Sequence, residues 1–190
     1  MKNNLSMIYI LAIITAIAAL LLSITYNGTK DKIEEAYRQE LIKALNVVLP
    51  EHDNHPDKED INIDGKSVYI AKKGGKLVGV AFKSTSSKGY SGDIDILVGI
   101  DLNGKVYGVE ILKHAETPGL GSKIETDSFK RSFKGLGKED KIAVKKDGGV
   151  IDQFSGATIS PRAVCEAVNN ALKFYSEVVV KNPQLIGGVK

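Results

Sequence analysis

Residues Ile94–Leu112, IDILVGIDLNGKVYGVEIL, read as two strands joined by a tight turn at Asn103-Gly104. This dipeptide between two apolar runs is the strongest short-range signal for a β-hairpin. Upstream, Gly74-Gly75 separates two further apolar runs and predicts a second hairpin. The four predicted strands are Ile94–Asp101, Val106–Leu112, Ser67–Ala71 and Leu77–Lys83. The sequence therefore predicts an antiparallel sheet at the centre of the fold.

Helical periodicity occurs on both sides of these strands. Residues 31–48 place apolar side chains at spacings of three and four, and Pro50 ends the pattern. A second amphipathic helix is predicted from about Pro161 to Val180. Shorter elements are a helix around Ile124–Phe133 and a strand at Ile142–Lys145. Residues 30–190 are therefore predicted to form one α+β domain, an antiparallel sheet with flanking helices.

The N-terminal segment has the composition of a membrane span. Met7–Tyr26 contains no charged residue, and twenty residues of helix cover about 30 Å, the thickness of a bilayer's hydrocarbon core. Residues 1–29 are therefore predicted to be a single transmembrane anchor. The alternative is a cleaved signal peptide, but the apolar run exceeds the usual h-region and no Ala-x-Ala site follows it. Lys30, Lys32 and Arg38 after the span, against Lys2 before it, leave the side of the membrane open.

Composition excludes several classes of function. The chain has 190 residues, of which 43% are hydrophobic and 26% charged, and its net charge is +3. So small an excess of positive charge, without a basic stripe, argues against nucleic-acid binding. Cys165 is the one cysteine, so this chain holds no internal disulfide and no cysteine-ligated iron–sulfur cluster, and a buried, inert thiol is the default expectation. His52 and His55 lie in a polar loop, which favours solvated side chains over a metal site.

The segment Asp152–Ser160, DQFSGATIS, carries the chemistry. Ser160 followed by Pro161 is typical of a helix start, because serine caps free N–H groups and proline has none to leave unpaired. The small residues before it let the backbone approach a bulky group. The helix N-terminus favours phosphate, Arg162 offers a further contact, and the Thr158 hydroxyl lies beside this position. From the residues alone, an ordinary turn before a capped helix is the favoured alternative.

Three motifs in order resemble those of the FMN-binding domain family. They are Gly89-Tyr90-Ser91-Gly92, then Glu116-Thr117-Pro118-Gly119-Leu120-Gly121, and finally Asp152 with Ser155-Gly156-Ala157-Thr158 in the spacing D-x-x-S-G-A-T. Together with the single span and the chain length, they are similar to the G subunits of Rnf-type ion-translocating electron-transport complexes. The C subunits of Na+-translocating NADH:quinone reductases are also similar but usually longer.

The resemblance implies a covalently bound cofactor. A flavin transferase would cut FAD and leave FMN joined through a phosphoester to Thr158, making the chain a phosphoprotein in that sense. Asp152, Ser155, Gly156 and Ala157 would form the signature that the transferase reads. The isoalloxazine ring would be lined by Glu116, Thr117, Gly119 and Leu120. His114 would orient the flavin loop, and Lys145 or Lys146 would lie near the ring. The alternatives are a surface histidine and solvated lysines at the end of a strand.

The function implied is that of a membrane-anchored electron carrier. It would belong to a complex that couples ferredoxin:NAD electron transfer to Na+ or H+ translocation, with the soluble domain on the extracytoplasmic side. Its partners would be other membrane and redox subunits, the lipid bilayer and, during maturation, the flavin transferase. The chain would complete no catalytic cycle alone. The alternative from another class is a non-redox, membrane-anchored binding module in which SGAT only precedes a helix cap.

Overall fold

The computed structural model describes residues 2–181, beginning with one long helix, α1, at Lys2–Val48. The predicted span and the predicted helix at 31–48 are thus two parts of a single element. Between them lies only Asn27-Gly28-Thr29-Lys30, and an isolated glycine costs about 1 kcal/mol, too little to end a helix. Within the described residues, α1 is the one helix long and apolar enough to cross a membrane.

A boundary within α1 separates two compact units, Met1–Glu40 and Leu41–Lys190. In the first unit the apolar side chains from Met7 to Tyr26 are exposed, as required of a helix surrounded by lipid. The sequence places the boundary between residues 29 and 30 because the predicted membrane anchor ends there. That division into 1–29 and 30–190 stays a prediction.

The second unit is built on a five-stranded antiparallel sheet in the order β1-β2-β3-β4-β5. The strands are Ile61–Ile63, Lys66–Lys73, Lys76–Ser86, Ile94–Asp101 and Val106–Lys113. Both predicted hairpins are present, as β2–β3 and β4–β5. The β1 strand was not predicted, since three residues give too short a pattern. It pairs with β2 across Asp64-Gly65, both at positive φ.

One face of the sheet packs against the C-terminal half of the domain. Helix α2, Asp127–Arg131, and helix α3, Ile159–Phe174, cover this face, and α3 continues into a π-helical turn at Tyr175–Val179. Their contact with the strands forms the main apolar core, in which Phe82, Phe133 and Ile124 are fully buried. The predicted helix at 161–180 is confirmed in its main part, with its start two residues earlier.

The predicted strand at Ile142–Lys145 is wrong. Val144 forms a single parallel bridge with Ile151, and a 3-10 turn at Lys145–Asp147 follows at once. Gly148 is left-handed, which reverses the chain, and this turn leaves no length for a second strand. Ile142 and Val144 are buried all the same, so the apolar pattern of this segment reflects burial of a loop.

The opposite face of the sheet receives the end of α1. Leu45, Val48 and Leu49 are buried there against Ala71, Ala81 and Leu97. Close approach is possible because three adjacent strands present glycines here: Gly99 and Gly108 lie beneath Val48, and Gly79 lies beneath Pro50, just after the helix. The sheet is therefore the middle layer of the second unit.

Candidate functional site

All three sequence motifs meet at one pocket in the second unit. It has a volume of about 360 Å3 and opens beside the start of α3. The residues that line it are Tyr90, Glu116, Thr117, Leu120, Gly121, Gly156, Ala157, Thr158, Ile159 and Ser160. They come from segments far apart in sequence, so the fold creates this site, and its volume is in the range typical of small-molecule sites.

A tight turn delivers Thr158 to the pocket. The N–H of Ala157 donates to the carbonyl of Phe154 over 3.1 Å, and Gly156 has a φ of +79°, as the third residue of a type II turn requires. The Phe154 ring packs on Phe129, with 5.1 Å between ring centroids, which fixes the turn to the apolar core. The chain just before Thr158 is therefore anchored.

Thr158 is the residue from which α3 begins. Its backbone is already in the right-handed helical region, and its side chain makes no capping hydrogen bond to the helix. The side chain is partly buried and forms part of the pocket wall. A hydroxyl that is not used in capping, at the wall of a pocket, is available for contact or reaction with a bound group.

Ser160 does not have the role that the sequence predicts. The helix begins at Ile159, so Ser160 lies inside its first turn and is no N-cap. Its hydroxyl, with the residue only 1% exposed, donates to Glu116 Oε2 over 2.5 Å. The start of α3 is thereby attached to the loop that carries Glu116.

Glu116 is buried, with 5% exposure, and both of its carboxylate oxygens are engaged. Oε1 accepts the backbone N–H of Ser91 over 3.0 Å, and Oε2 accepts the Ser160 hydroxyl. A Cβ at Gly121 would lie 2.5 Å from Oε2, and one at Gly89 would lie 2.8 Å from Oε1. Glycine at position 121 therefore makes room for the carboxylate, and glycine at position 89 makes room for the carboxylate and for the Gly92 carbonyl.

His114 supports the Glu116 loop without lining the pocket. Its Nδ1 lies 2.9 Å from the Glu116 backbone N–H and its Nε2 lies 2.8 Å from Glu125 Oε1. Because Nδ1 accepts a hydrogen bond, the network assigns the ring proton to Nε2. The side chain is largely covered. His114 thus fixes the backbone at the residue whose carboxylate reaches α3.

The charged residues near the turn pair with one another. Arg162 makes a two-bond contact with Asp147, with 2.6 Å from Nε to Oδ2 and 2.7 Å from Nη2 to Oδ1. The hydrogen bond from this guanidinium holds the pKa of the Asp147 carboxyl below its usual range. Lys145 pairs with Asp152 over 2.7 Å. Neither Arg162 nor the two lysines at 145 and 146 line the pocket, and the phosphate contact suggested for Arg162 stays a prediction.

Six of the eight residues assigned from the resemblance lie on the pocket wall. These are Glu116, Thr117, Leu120, Gly156, Ala157 and Thr158. Gly119 and Ser155 lie in the adjoining turns, where Gly119 has a φ of +74° and donates its N–H to Ser122. Four pocket residues are not among the eight assigned: the exposed apolar side chains of Tyr90 and Ile159, together with Gly121 and Ser160. Tyr90 lies within the Gly-Tyr-Ser-Gly motif, which was the available signal.

Other cavities lie apart from the motifs. An open groove of about 660 Å3 between β2, β3 and the end of α3 is lined in part by Lys66, Lys83 and Lys173. A second groove, of about 450 Å3, passes Cys165, whose thiol is buried and whose pKa burial raises to about 12. A thiol in that state is unreactive, as the sequence predicts. No cluster of metal-ligating side chains is found among residues 2–181 that the structure describes.

Comparison with known proteins connects this site with a family. The FMN-binding domain family matches residues 89–173, and the family described as the RnfG N-terminal region matches residues 9–48. The G subunit of the ion-translocating oxidoreductase complex of Aliivibrio fischeri is 42% identical over 183 residues, covering 87% of this chain and 87% of that protein. Its counterpart in Vibrio vulnificus is 37% identical and covers 98% of this chain and 96% of that protein.

A solved structure supports the fold alone. The C subunit of the Na+-translocating NADH-quinone reductase of Parabacteroides distasonis superposes with a TM-score of 0.55 at 20% identity, covering 79% of this chain and 94% of that one. The α+β architecture with an N-terminal helix followed by an antiparallel sheet and flanking helices is thus confirmed.

Proposed function

Because the chain belongs to the family of G subunits of ion-translocating oxidoreductase complexes, we propose that it is an electron-carrying member of such a complex. Support comes from relatives that match nearly the whole chain, from the FMN-binding domain over residues 89–173 and from the apolar helix suited to a membrane. The subunits with which it assembles would hold the remaining redox centres, because this chain has no cysteine-ligated cluster.

The pocket residues fit FMN. Tyr90, Leu120 and Ile159 offer apolar side chains at the pocket, suited to a planar ring system, and Thr117 adds a hydroxyl for its polar edge. The isoalloxazine would lie against Leu120, with Gly119 shaping the loop that carries it. When bound, FMN supplies one- and two-electron redox chemistry, and the protein supplies position and electrostatics.

We assign the covalent attachment to the Thr158 hydroxyl. The observation that carries this assignment is that Thr158 lines the pocket while its side chain takes no part in capping α3. During attachment, a bond forms between Thr158 Oγ1 and the FMN phosphorus of FAD. The bond from that phosphorus to the bridging oxygen breaks, AMP leaves with that oxygen, and the hydroxyl proton passes to a base of the transferase.

The turn before Thr158 suits recognition by a maturation enzyme. Ser155 and Gly156 are exposed at its tip, and Asp152 is exposed two residues before Phe154. A transferase approaching from solvent meets these residues before it reaches Thr158. Attachment through the phosphate leaves the ring free to exchange electrons, while loss of the cofactor is prevented.

The complex would couple ferredoxin:NAD electron flow to Na+ or H+ transport, and the domain would lie on the extracytoplasmic side. On that side free FMN is scarce, so covalent attachment has a clear advantage. The chain's own part in this scheme is to hold the flavin, keep it near the membrane through α1 and present it to neighbouring subunits.

Covalent attachment is tested by expressing the full chain with a flavin transferase and measuring its mass after denaturation. We expect one FMN on the peptide that contains Thr158, none in Thr158→Ala, and retained FMN in Thr158→Ser, which keeps a hydroxyl. A wild-type chain that takes up no flavin, or flavin retained by Thr158→Ala, would contradict the assignment. An unmodified, colourless wild type would favour the non-redox binding module.

A further inference from the structure

We infer that Glu116 is a positioning residue, whose buried carboxylate holds the start of α3 so that the Thr158 hydroxyl faces the pocket in the orientation needed for FMN attachment. The inference rests on the proposed attachment to Thr158. It differs from the role implied by the resemblance, in which Glu116 simply lines the isoalloxazine ring.

The carboxylate joins three separate segments of the chain. One oxygen accepts the Ser91 N–H from the loop before β4, and the other accepts the Ser160 hydroxyl from the first turn of α3. The Glu116 backbone is itself fixed through His114. Ser160 lies two residues after Thr158, so this contact determines the direction in which the helix leaves the attachment residue.

The surrounding sequence is built around this carboxylate. A side chain at Gly121 would collide with both Glu116 and Ser160, and one at Gly89 would collide with Glu116 and the Gly92 carbonyl. Neither glycine has a positive φ, so no special backbone conformation requires glycine at these positions. The space that the missing side chain leaves explains their presence. Both belong to the family motifs, and the Glu116 contact gives a physical reason for Gly121 and, together with the Gly92 carbonyl, for Gly89.

Stability alone is a poor explanation for a buried carboxylate with such partners. The donors that reach the two Glu116 oxygens are a neutral amide and a neutral hydroxyl. Removing a charged carboxylate from water is unfavourable unless strong partners replace the solvent. A neutral side chain of similar volume would fill the space, so the carboxylate's distinct contribution is to fix the geometry of two oxygens.

Thr158 is thus held between two anchors. The upstream anchor is Phe154, whose ring packs in the apolar core, and the downstream anchor is the contact of Ser160 with Glu116. Loss of the downstream anchor leaves Thr158 beside the pocket but frees the direction of its hydroxyl. Since α3 is held to the sheet by many apolar contacts of its own, the domain stays folded.

The test uses the full chain, purified without flavin, with purified transferase and FAD. The variants are Ser160→Ala, Glu116→Ala and Glu116→Gln, and the matched control is Ser84→Ala. Ser84 is also a buried serine with a hydrogen bond to α3, from its hydroxyl to the Ala167 carbonyl over 2.7 Å, but it does not line the pocket at Thr158. Hydrogen exchange at the Ser91 amide reports the Glu116 contact directly in the flavin-free protein.

We expect Ser160→Ala and Glu116→Ala to lower the flavinylation rate at saturating acceptor by about tenfold, because a misplaced nucleophile loses the benefit of orientation. Glu116→Gln should recover part of the rate, since its amide can still bond both partners. Ser84→Ala should lower the thermal midpoint about as much as Ser160→Ala but leave the flavinylation rate unchanged. Hydrogen exchange at the Ser91 amide should accelerate in Glu116→Ala and stay unchanged in Ser160→Ala and Ser84→Ala.

The inference is overturned if Ser160→Ala or Glu116→Ala is flavinylated at the wild-type rate, or if Ser84→Ala slows flavinylation equally. Unchanged exchange at Ser91 in Glu116→Ala would also overturn it, with or without flavin present. Whether the proposed function itself fails is tested separately, by flavinylation of the wild-type chain. A wild-type chain that accepts no FMN removes the attachment itself, whereas a flavinylated wild type with unaffected variants removes only the role of Glu116.

Discussion

Asp95 carries a mostly covered carboxylate near the start of β4, between two residues of the neighbouring strand. Lys83 Nζ lies 2.7 Å from Oδ2, and the Thr85 hydroxyl donates to Oδ1 over 2.6 Å. Burial by itself raises the pKa of Asp95, but the bonds from Lys83 and Thr85 outweigh it and leave the pKa below its ordinary value. The ionised form is therefore favoured by folding.

A lowered pKa in the folded state gives a stability that depends on pH. It is present above the unfolded-state pKa, about 3.9 for aspartate, and is lost as the pH falls through the lower pKa of the folded state. We expect Asp95→Asn to reduce the free energy of unfolding by about 1 kcal/mol near pH 7. Urea unfolding from pH 7 down to the acid limit should show this difference shrinking. The exposed Asp93→Asn serves as control, and a difference for Asp95→Asn that is independent of pH would contradict the argument.

At the scale of single residues, the sequence identifies which residues belong to the site better than it identifies the side chains with which they form hydrogen bonds. The order of the motifs indicates Thr158, because the family signature lies in one short stretch. The role of Ser160 was not predictable, since a serine before proline has every feature of an N-cap, whereas its acceptor lies 44 residues earlier in the chain. Arg162 is similar, because its partner Asp147 belongs to a turn that only the folded chain brings near.

At the scale of elements, glycines determine how closely the end of α1 approaches the sheet. Gly99 on β4 pairs with Gly108 on β5, and both lie under the backbone of Val48. A Cβ at Gly99 would overlap the Val48 carbonyl oxygen, which belongs to backbone and cannot rotate away. The contact depends on the absence of a side chain and not on the flexibility of glycine.

We therefore expect Gly99→Ala to destabilise the domain by about 3 kcal/mol, at the upper end of overpacking costs, because the helix end must move off the sheet. The matched control is Gly137→Ala, where the nearest atoms belong to the flexible side chains of Glu139 and Lys105. Thermal unfolding of the purified full chain measures both. A midpoint for Gly99→Ala no lower than that for Gly137→Ala would show that α1 does not pack as closely as the structure indicates.

The turn residues made the two central hairpins predictable. The limits of such local signals explain why β1 was not predicted and why a strand was wrongly predicted at Ile142–Lys145. Gly74-Gly75 and Asn103-Gly104 each lie between long apolar runs, so both hairpins follow from local sequence. Asp64-Gly65 is an equally good turn signal, but it joins β2 to a strand of only three residues. Ile142 and Val144 are buried in a loop whose direction reverses at Gly148, and the sequence pattern does not distinguish such a loop from a strand.

At the scale of the whole molecule, the charges beside the span argue against the side that we propose. Lys30, Lys32 and Arg38 follow the apolar run, and positive residues favour the cytoplasmic side. The rule weakens for long domains, which are translocated largely regardless of flanking charge. The segment after the span is such a domain, so the charge count does not decide its location.

Thiol labelling determines on which side of the membrane the domain lies, because the one native cysteine is not expected to react. Cys165 is buried and its pKa is raised to about 12, so it should not react with a maleimide at neutral pH. Lys58 is exposed in the polar loop before β1, and Lys58→Cys therefore adds a single accessible thiol. We expect a membrane-impermeant maleimide to label this variant in intact spheroplasts as fully as after lysis, and to leave the wild type unlabelled. Labelling that occurs only after lysis would place the domain in the cytoplasm, where free flavin is abundant and the advantage of covalent attachment disappears.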